Sequence, residues 1–247
     1  MVVATPSGVT LAPKGGAHQS IATPLIGMAQ DGLASFEPAF VDELATIMRW
    51  GFDYMQREGR EGGSVYLRLS TRPLDQLQRE ITPDLAADMI EGAYWLRRPG
   101  PNPECVIAYT GTVASEAIEA AGLIAEDRRD VGVLAVTSAD RLNAGWTAAE
   151  RARRQGDYFA ESHIERLLSP LPRNCSIVSV IDGHPATLAW LGSVHGHRVS
   201  ALGVDQFGQT GTIGDLYRHH GIDTDGIIEA VEALSPRRPV RLRRSVI

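Results

Sequence analysis

A six-residue segment near the start of the chain has the residue types needed for proton transfer beside a bound ligand. Residues 15–20 read Gly-Gly-Ala-His-Gln-Ser, so that His18 follows closely on a pair of glycines. The unperturbed pKa of histidine, about 6.5, suits acid–base chemistry near neutral pH. Paired glycines also let the backbone approach a ligand closely. The segment is therefore a candidate active-site loop, although a histidine that only hydrogen-bonds within a loop fits the same pattern.

The other histidines are weaker candidates for a site. His184 follows Asp182 and Gly183 at the predicted carboxyl end of a strand, where open α/β sheets bind ligands. Two close pairs could suggest a metal site, but no acid or cysteine nearby completes a tetrahedral set, which favours structural or surface roles. One further histidine is predicted to lie on a helix surface. These pairs are His195 with His197 and His219 with His220, and the helix-surface residue is His163.

Two glycine motifs could bind phosphate but have simpler explanations. Gly208, Gly211 and Gly214 lie late in the chain, whereas a dinucleotide fingerprint directly follows the first strand of a βαβ unit, so a loop leading into a helix is favoured. Residues 110–112, Thr-Gly-Thr, separate a strand from a helix and could receive an anion on their amides. An ordinary strand-to-helix turn is favoured there as well.

The elements around the histidine segment are irregular at first and then regular. Residues 6–32 are polar and glycine-rich with few periodic apolar positions, which is typical of functional or disordered segments. Residues 37–55 have helical spacing, with Pro38 in the first turn. Residues 65–69 predict a strand, and Thr82 is the predicted cap of a new helix. A domain boundary is expected between Pro73 and Thr82.

The second half of the sequence alternates strands with helices. We predict a hairpin from residues 94–97 and 106–109, then strands at 131–136, 176–181 and 198–202. Predicted helices occupy 114–127, 147–155, 162–168 and 185–194, with two short ones at the end. This alternation predicts an α/β class with a doubly wound, mostly parallel sheet covered on both faces. The hairpin would add one antiparallel edge strand.

Composition excludes several classes of protein. The chain has 247 residues, a net charge of −6 and two cysteines, Cys105 and Cys175, which are too few for a disulfide scaffold. The negative charge argues against nucleic-acid binding, and no apolar run approaches the ~20 residues of a membrane span. A reduced, cytoplasmic setting is expected. Five arginines in the last twelve residues favour a solvated tail over a binding segment; they are Arg237, Arg238, Arg241, Arg243 and Arg244.

Four motifs in a fixed order carry a family resemblance. The segment at residues 15–20 resembles the Gly-x-x-His-Gln loop of transketolases and of the homodimeric pyruvate dehydrogenase decarboxylating components. Residues 69–72, Leu-Ser-Thr-Arg, resemble the strand end that closes their pyrimidine-binding domain. Residues 92–111 resemble the start of their C-terminal domain. Residues 204–208, Val-Asp-Gln-Phe-Gly, with 216–223, resemble the loop and helix near its end. Together these motifs span essentially the whole chain.

The resemblance implies the terminal part of a thiamine-diphosphate enzyme. Residues 1–80 would be the last third of a pyrimidine-binding domain, and residues 81–247 a transketolase C-terminal-like domain. It implies that His18 transfers protons at the substrate carbonyl, and that Gln19 and Arg72 contact a 2-oxoacid or ketose phosphate substrate. Thiamine diphosphate and Mg²⁺ serve the complete enzyme, and this chain alone is expected to bind neither. The implied partners are a chain with the pyrophosphate domain, or a second copy bound through the C-terminal domain.

The sequence departs from the family in two ways. It lacks the pyrophosphate domain with its Gly-Asp-Gly motif, the glutamate that activates the thiamine ring and the aromatic residues that pack on it. Lys14 also stands where relatives carry an acid near the substrate, and a cation there would alter the protonation of His18.

Two functions stay open: a split enzyme component that is catalytic with other chains, and a non-catalytic module for dimerisation or regulation. Nucleotide binding, a third alternative, rests on fold analogy alone.

Overall fold

A computed structural model describes residues 1–127 and 130–235. The five arginines of the predicted solvated tail lie outside the described residues. Within the described part, no helix combines the length and apolarity needed to cross a membrane. The strands are β1 (Val2–Ala4), β2 (Leu33–Phe36), β3 (Ser64–Arg68), β4 (Ala93–Arg97), β5 (Cys105–Thr110), β6 (Val131–Val136), β7 (Ser176–Ile181) and β8 (Val199–Leu202). The α-helices are α1 (Thr23–Met28), α2 (Val41–Met55), α3 (Pro83–Glu91), α4 (Ala114–Glu126), α5 (Ala139–Arg154), α6 (His163–Leu168), α7 (Ala186–Ala189), α8 (Ile213–His219) and α9 (Thr224–Leu234).

The strands form two sheets. A three-stranded sheet has the order β1-β3-β2, and both of its pairings are parallel. A five-stranded sheet has the order β4-β6-β5-β7-β8, in which only the β4–β6 pairing is antiparallel. The predicted fold class, a mostly parallel α/β sheet with one antiparallel edge strand, is confirmed.

The predicted hairpin is wrong, although its edge strand exists. β4 pairs with β6 and not with β5, which lies between β6 and β7 and is buried along its whole length. The proline-rich connection at 98–104 is fastened beside the start of β6, where Asp130 accepts hydrogen bonds from the backbone of Gly100 and Asn102 at 2.7 and 3.0 Å. The connection therefore leads from β4 past one strand position to β5, and β6 occupies the position between them.

Other boundaries also differ from the sequence-based expectation. The helix predicted at 147–155 is α5, which begins at Ala139. α2 begins at Val41 and not near Glu37, because the Glu43 carboxylate accepts the backbone N–H groups of Ala39 and Phe40 at 2.6 and 2.9 Å and fixes the helix start there. Pro38 consequently precedes the helix. β2 had no sequence-based prediction, since four residues give too short a pattern to recognise.

Each sheet has its own core, and residues from the first 80 positions also enter the core of the five-stranded sheet. The five-stranded sheet is covered on one face by α4, α8 and α9 and on the other by α5, α6 and α7. The three-stranded sheet packs against α2 through Ile47. Val9 and Phe40, from the first 80 residues, are buried in the core under α4 and α9. The division into domains near residue 80 stays a prediction, and contacts between the two parts are extensive.

Candidate functional site

The segment with the candidate histidine forms a compact loop on the carboxyl edge of the five-stranded sheet. Between β1 and α1 it makes two short 3-10 turns, Ala12–Lys14 and Gly16–His18. Its two ends are joined, because Ser20 donates its backbone N–H to the Gly8 carbonyl and accepts the Gly8 N–H on its hydroxyl, both at 3.1 Å. The stretch predicted to be irregular is thus an ordered loop with its own hydrogen bonds.

Asp182, directly after β7, anchors this loop. Its side chain is fully buried; one carboxylate oxygen accepts the Val9 N–H at 2.9 Å and the other accepts the Tyr217 hydroxyl at 3.0 Å. Gly8 has a φ of +54°, and a Cβ there would lie 2.0 Å from an Asp182 oxygen. Only glycine therefore allows the loop to sit this close to the carboxylate.

Gln19 fastens the other side of the loop. Its amide donates to the Gln209 carbonyl at 2.6 Å and accepts the Gly208 N–H at 3.0 Å. A Cβ at Gly16 would lie 2.6 Å from the Gly208 carbonyl oxygen, so the two backbones touch here. Gly208 belongs to the loop that leads into α8, as the sequence predicts. Gln19, a predicted substrate ligand, is hydrogen-bonded to the protein in this structure.

His18 ends the second 3-10 turn with its side chain exposed to solvent. No hydrogen bond joins its imidazole to another residue in the described part of the chain. The backbone of the loop is held on both sides, by Asp182 and by Gln19, whereas the ring itself is free. This arrangement can present an acid–base group to a ligand that arrives from outside. Lys14, at the end of the preceding turn, is exposed as well.

Arg68 connects the loop to the three-stranded sheet. Its side chain is 2% exposed and pairs with Glu37, while it donates to the Ser20 carbonyl at 2.9 Å and the Asp182 carbonyl at 2.7 Å. Burial raises the pKa of Glu37 to about 7, although Arg68 opposes this effect. Burial likewise raises the pKa of Asp182, again opposed by Arg68. Three buried charged groups therefore meet where the loop, β3 and β7 come together.

Arg72 lies apart from the His18 loop. It forms a two-pronged pair with Glu116 at 3.0 and 2.5 Å, donates to the Thr112 carbonyl at 3.1 Å and places its guanidinium 5.0 Å from the centre of the Tyr217 ring. A chain of hydrogen bonds still joins the two places, since the Tyr217 hydroxyl contacts Thr112 at 3.1 Å and Asp182 at 3.0 Å. A cavity of about 200 Å³ borders Arg72 between α2 and the end of β3.

The turn at residues 110–112 fits the simpler of its two explanations. Residues Gly111–Val113 form a buried 3-10 turn that leads into α4. A Cβ at Gly111 would lie 2.5 Å from a Glu37 carboxylate oxygen, so a protein acid occupies the space beside this turn.

The remaining histidines separate into one neighbour of the site and several structural residues. His184 lies on the same sheet edge, where its backbone N–H donates to the Ile21 carbonyl at 3.0 Å. The prediction that His163 lies on a helix surface is wrong: it is buried, with Nε2 2.7 Å from the Ala93 carbonyl, because the first turn of α6 packs against β4. His195 and His197 contact backbone carbonyls at 3.1 and 3.0 Å.

Sequence reasoning found the His18 loop and missed the buried charges that hold it. Glu37, Arg68 and Asp182 are far apart in the sequence, and nothing in their local patterns shows that they meet. One signal was available for Arg68, which interrupts an otherwise apolar strand at residues 65–69. A charged residue in a buried strand requires a partner.

The described residues contain no cluster of side chains that would hold a metal ion without further ligands. In the ranges 1–127 and 130–235, no three His, Cys, Asp or Glu side chains lie close enough together to hold a metal ion. Mg²⁺ that is bound together with phosphate groups takes only one or two carboxylates from the protein. Whether the isolated chain binds the cofactor stays a prediction.

Comparisons with known proteins agree with this fold. Residues 92–223, more than half of the chain, match the family model of the transketolase-like C-terminal domain. The pyruvate dehydrogenase E1 component of Mycolicibacterium smegmatis is 28% identical over 235 residues, which cover 92% of this chain and 25% of that protein. The chain therefore spans about a quarter of the length of that curated relative.

Solved structures show the same architecture. Transketolase from Leishmania mexicana superimposes with a TM-score of 0.70 at 18% identity, covering 98% of this chain and 31% of that one. A split-gene transketolase, described as an inactive beta4 tetramer, gives a TM-score of 0.63 at 17% identity, covering 96% of this chain and 66% of that one. The protein is a member of the transketolase-like C-terminal domain family. Its relatives are transketolases and a pyruvate dehydrogenase component.

Proposed function

We propose that this chain is the C-terminal portion of a cytoplasmic thiamine-diphosphate-dependent enzyme of the 2-oxoacid dehydrogenase or transketolase type. It becomes catalytic when a second chain supplies the pyrophosphate domain and the rest of the pyrimidine-binding domain. That second chain would hold Mg²⁺ and most of the thiamine diphosphate. The substrate is a small 2-oxoacid, such as pyruvate, or a ketose phosphate. Two copies could also pair through residues 81–247.

The observation that carries the proposal is the placement of His18. The loop around it is fixed by a buried aspartate and by the Gln19 amide, while the imidazole is exposed and free of protein partners. A side chain that served only to stabilise the loop would be hydrogen-bonded within it. A preorganised backbone with an unengaged acid–base group instead suits proton transfer to a substrate carbonyl or hydroxyl.

Gln19 and Arg72 are proposed to assist in substrate binding. Both are engaged by the protein, Gln19 by the backbone at 208–209 and Arg72 by Glu116. A direct contact with substrate therefore requires an exchange of these hydrogen bonds. The cavity beside Arg72 has room for a small polar group such as a carboxylate or phosphate. A chain with this fold also occurs in a structure described as a split-gene transketolase, inactive as a beta4 tetramer, which supports a requirement for a further chain.

The test is reconstitution with the chain from the same organism that carries the Gly-Asp-Gly motif and the activating glutamate. We expect turnover of pyruvate with an artificial electron acceptor, or ketol transfer from a ketose phosphate, only when both chains, thiamine diphosphate and Mg²⁺ are present. In calorimetry, this chain alone should show no micromolar binding of the cofactor, which would correspond to about −8 kcal/mol. A mixture that is inactive with both substrate classes supports the non-catalytic module instead.

His18→Ala should lower kcat of the reconstituted enzyme by about 10²–10⁴-fold, the usual contribution of a general acid–base group. Its stability should change by less than ~0.5 kcal/mol, because the side chain is exposed. His219→Ala is the matched control, since His219 is also exposed but lies at the end of α8, outside the loop. Lys14→Glu should raise activity if the lysine impairs catalysis. Turnover of His18→Ala within a factor of two of the parent would remove His18 from the site.

A further inference from the structure

A small polar cavity lies where the two sheets meet, at the carboxyl ends of their strands. Its wall includes the last residues of β2, β3, β5 and β7 and the first turns of α5 and α7. The charged and polar side chains in this wall include Glu37, Arg68, Asp140 and Thr187. The cavity therefore borders the buried charges that hold the His18 loop.

Two residues of the cavity wall each have a buried polar atom with no hydrogen-bond partner in the described part of the chain. One atom is Nε of Arg68, which is 2% exposed, and the other is the hydroxyl of Thr187, which is 1% exposed. The other guanidinium nitrogens of Arg68 are engaged, by Glu37 and by the Ser20 and Asp182 carbonyls. The large majority of buried side-chain polar atoms have a partner, either a protein atom or an ordered water. Two such atoms at one cavity therefore point to a partner that is not part of the polypeptide.

The cavity has the size of one water molecule. About 20 Å³ of it is open to the centre of a water-sized sphere, and a single bound water needs at least about 10–15 Å³ by that measure. An organic ligand such as a sugar or an acyl group does not fit in this space. The charges also argue against an ion, because the Arg68 guanidinium opposes a cation and the Glu37 and Asp140 carboxyls oppose an anion. A neutral molecule that both donates and accepts hydrogen bonds matches the wall.

We propose that one buried water molecule occupies this cavity and bridges Nε of Arg68 to the Thr187 hydroxyl. The water accepts the Nε–H, because a guanidinium can only donate, whereas the threonine hydroxyl can donate or accept. A hydrogen of the water is then available for a carboxylate oxygen in the wall, from Glu37 or Asp140. Buried waters typically make about three hydrogen bonds, so this arrangement satisfies the water as well as the protein.

The bridging water joins the end of the three-stranded sheet to the helix that follows β7. Arg68 is the last residue of β3 and holds the Ser20 and Asp182 carbonyls at the candidate site. Thr187 lies in α7 and donates its backbone N–H to the His184 carbonyl at 3.1 Å. Through the water, the guanidinium that fixes the loop is therefore also tied to the segment that carries His184.

The first test replaces Thr187 with valine, which keeps the branched shape and removes the hydroxyl. Because the bridged water and Arg68 would lose a partner, Thr187→Val should raise the equilibrium constant for unfolding about 5–30-fold in urea denaturation. Ser179→Ala is the matched control, since the Ser179 hydroxyl is also buried without a partner among the described residues but does not line the cavity. Ser179→Ala should leave the constant within threefold or lower it. A Thr187→Val protein that behaves like Ser179→Ala overturns the bridge.

The second test identifies the occupant directly, by diffraction from crystals of the unmodified protein grown with bromide in place of chloride. We expect the density of a single water within about 3.2 Å of both Nε of Arg68 and the Thr187 hydroxyl, with no anomalous signal. An anomalous peak at this position assigns the cavity to a halide, and an absence of density shows a dry cavity. Either result overturns the bound water and leaves the proposed function untouched, because neither measurement uses a partner chain or turnover.

Discussion

The five-stranded sheet has helices on both faces, whereas the three-stranded sheet packs against α2 and depends on its neighbour for one edge. The strands of the larger sheet all come from residue 93 onward, although Val9 and Phe40 also enter its core. In the smaller sheet, β2 is covered by the start of α5. The loop that follows β1 is held by Asp182, which comes directly after β7. The difference indicates that the first 80 residues depend on contacts with the rest of the chain for their structure. The candidate site lies where these contacts are made.

Separating the two regions should have the largest effect. Residues 81–247 should unfold cooperatively as an isolated fragment, because their sheet and its helices are complete. Residues 1–80 should not fold alone, since three strands and one covering helix bury too little surface to offset chain entropy. Urea denaturation followed by circular dichroism measures both. A molten 81–247 fragment would place the boundary elsewhere, and a cooperative 1–80 fragment would contradict the dependence described here.

Arg68→Met should destabilise the protein by about 3–5 kcal/mol at pH 8, because it leaves the Glu37 carboxylate buried without a cation. The variant also removes the donor to two backbone carbonyls at the loop. Urea denaturation measures the free energy of unfolding. The double variant Arg68→Met with Glu37→Leu should recover much of the loss, since no unpaired charge is left. A decrease in the free energy of unfolding of less than about 1 kcal/mol would mean that the Arg68–Glu37 pair does not hold the three-stranded sheet to the rest of the protein.

Stability should fall as pH rises through the titration of Glu37. Burial raises the pKa of Glu37 from 4.5 to about 7, so the protonated form is favoured in the folded state. This contribution is complete below pH ~4.5 and is lost as pH approaches and passes 7, by up to about 3 kcal/mol. Unfolding free energies between pH 4.5 and 8.5 measure it, with Glu37→Gln as the variant that should flatten the curve. An unchanged slope in Glu37→Gln would assign the titration to another group.

Gly16→Ala should have a smaller, local effect of about 1–3 kcal/mol. Its Cβ would lie 2.6 Å from the Gly208 carbonyl oxygen, and the atoms it would meet all belong to the Gly208 backbone, which moves less easily than a side chain. Hydrogen exchange at the Gly208 amide, which bonds to Gln19, should accelerate. Gly214→Ala is the control, because a Cβ there meets no atom within 4 Å. Equal exchange in the two variants would show that the close approach does not hold the loop.

The same contrast explains what could be predicted from the sequence. β6 and β7 begin and end where their continuous apolar runs predict, since a strand buried on both faces leaves a clear local signal. β2 was missed because four residues give too short a pattern, and Asp140 and Ser138, which bond to its backbone at Ser35, lie more than a hundred residues away. The predicted pairing of β4 with β5 was wrong for a similar reason. The two strands are neighbours in sequence, but β6 lies between them in the sheet.

In the candidate site, too, the features with a local sequence pattern could be predicted and those that depend on tertiary contacts could not. The glycine and histidine types at residues 15–20 indicate a candidate active-site loop, so His18 could be proposed from the sequence alone. Its geometry depends on Asp182 and on the backbone at 208–209, and no local pattern encodes those contacts. Arg72 was chosen by resemblance, and its pairing with Glu116 is likewise a tertiary contact.

The hydrogen bonds that shape the His18 loop also set when it can form during synthesis. Val9 bonds to a residue 173 positions later, and Gln19 bonds to residues 189 and 190 positions later. At about 5–20 residues per second, the ribosome needs roughly 10–40 s after the histidine emerges to deliver these partners. During that interval the loop has only its local hydrogen bonds, such as those between Gly8 and Ser20, and lacks its contacts with Asp182 and residues 208–209. A nascent chain stalled before residue 206 would carry the histidine without the geometry that makes it useful.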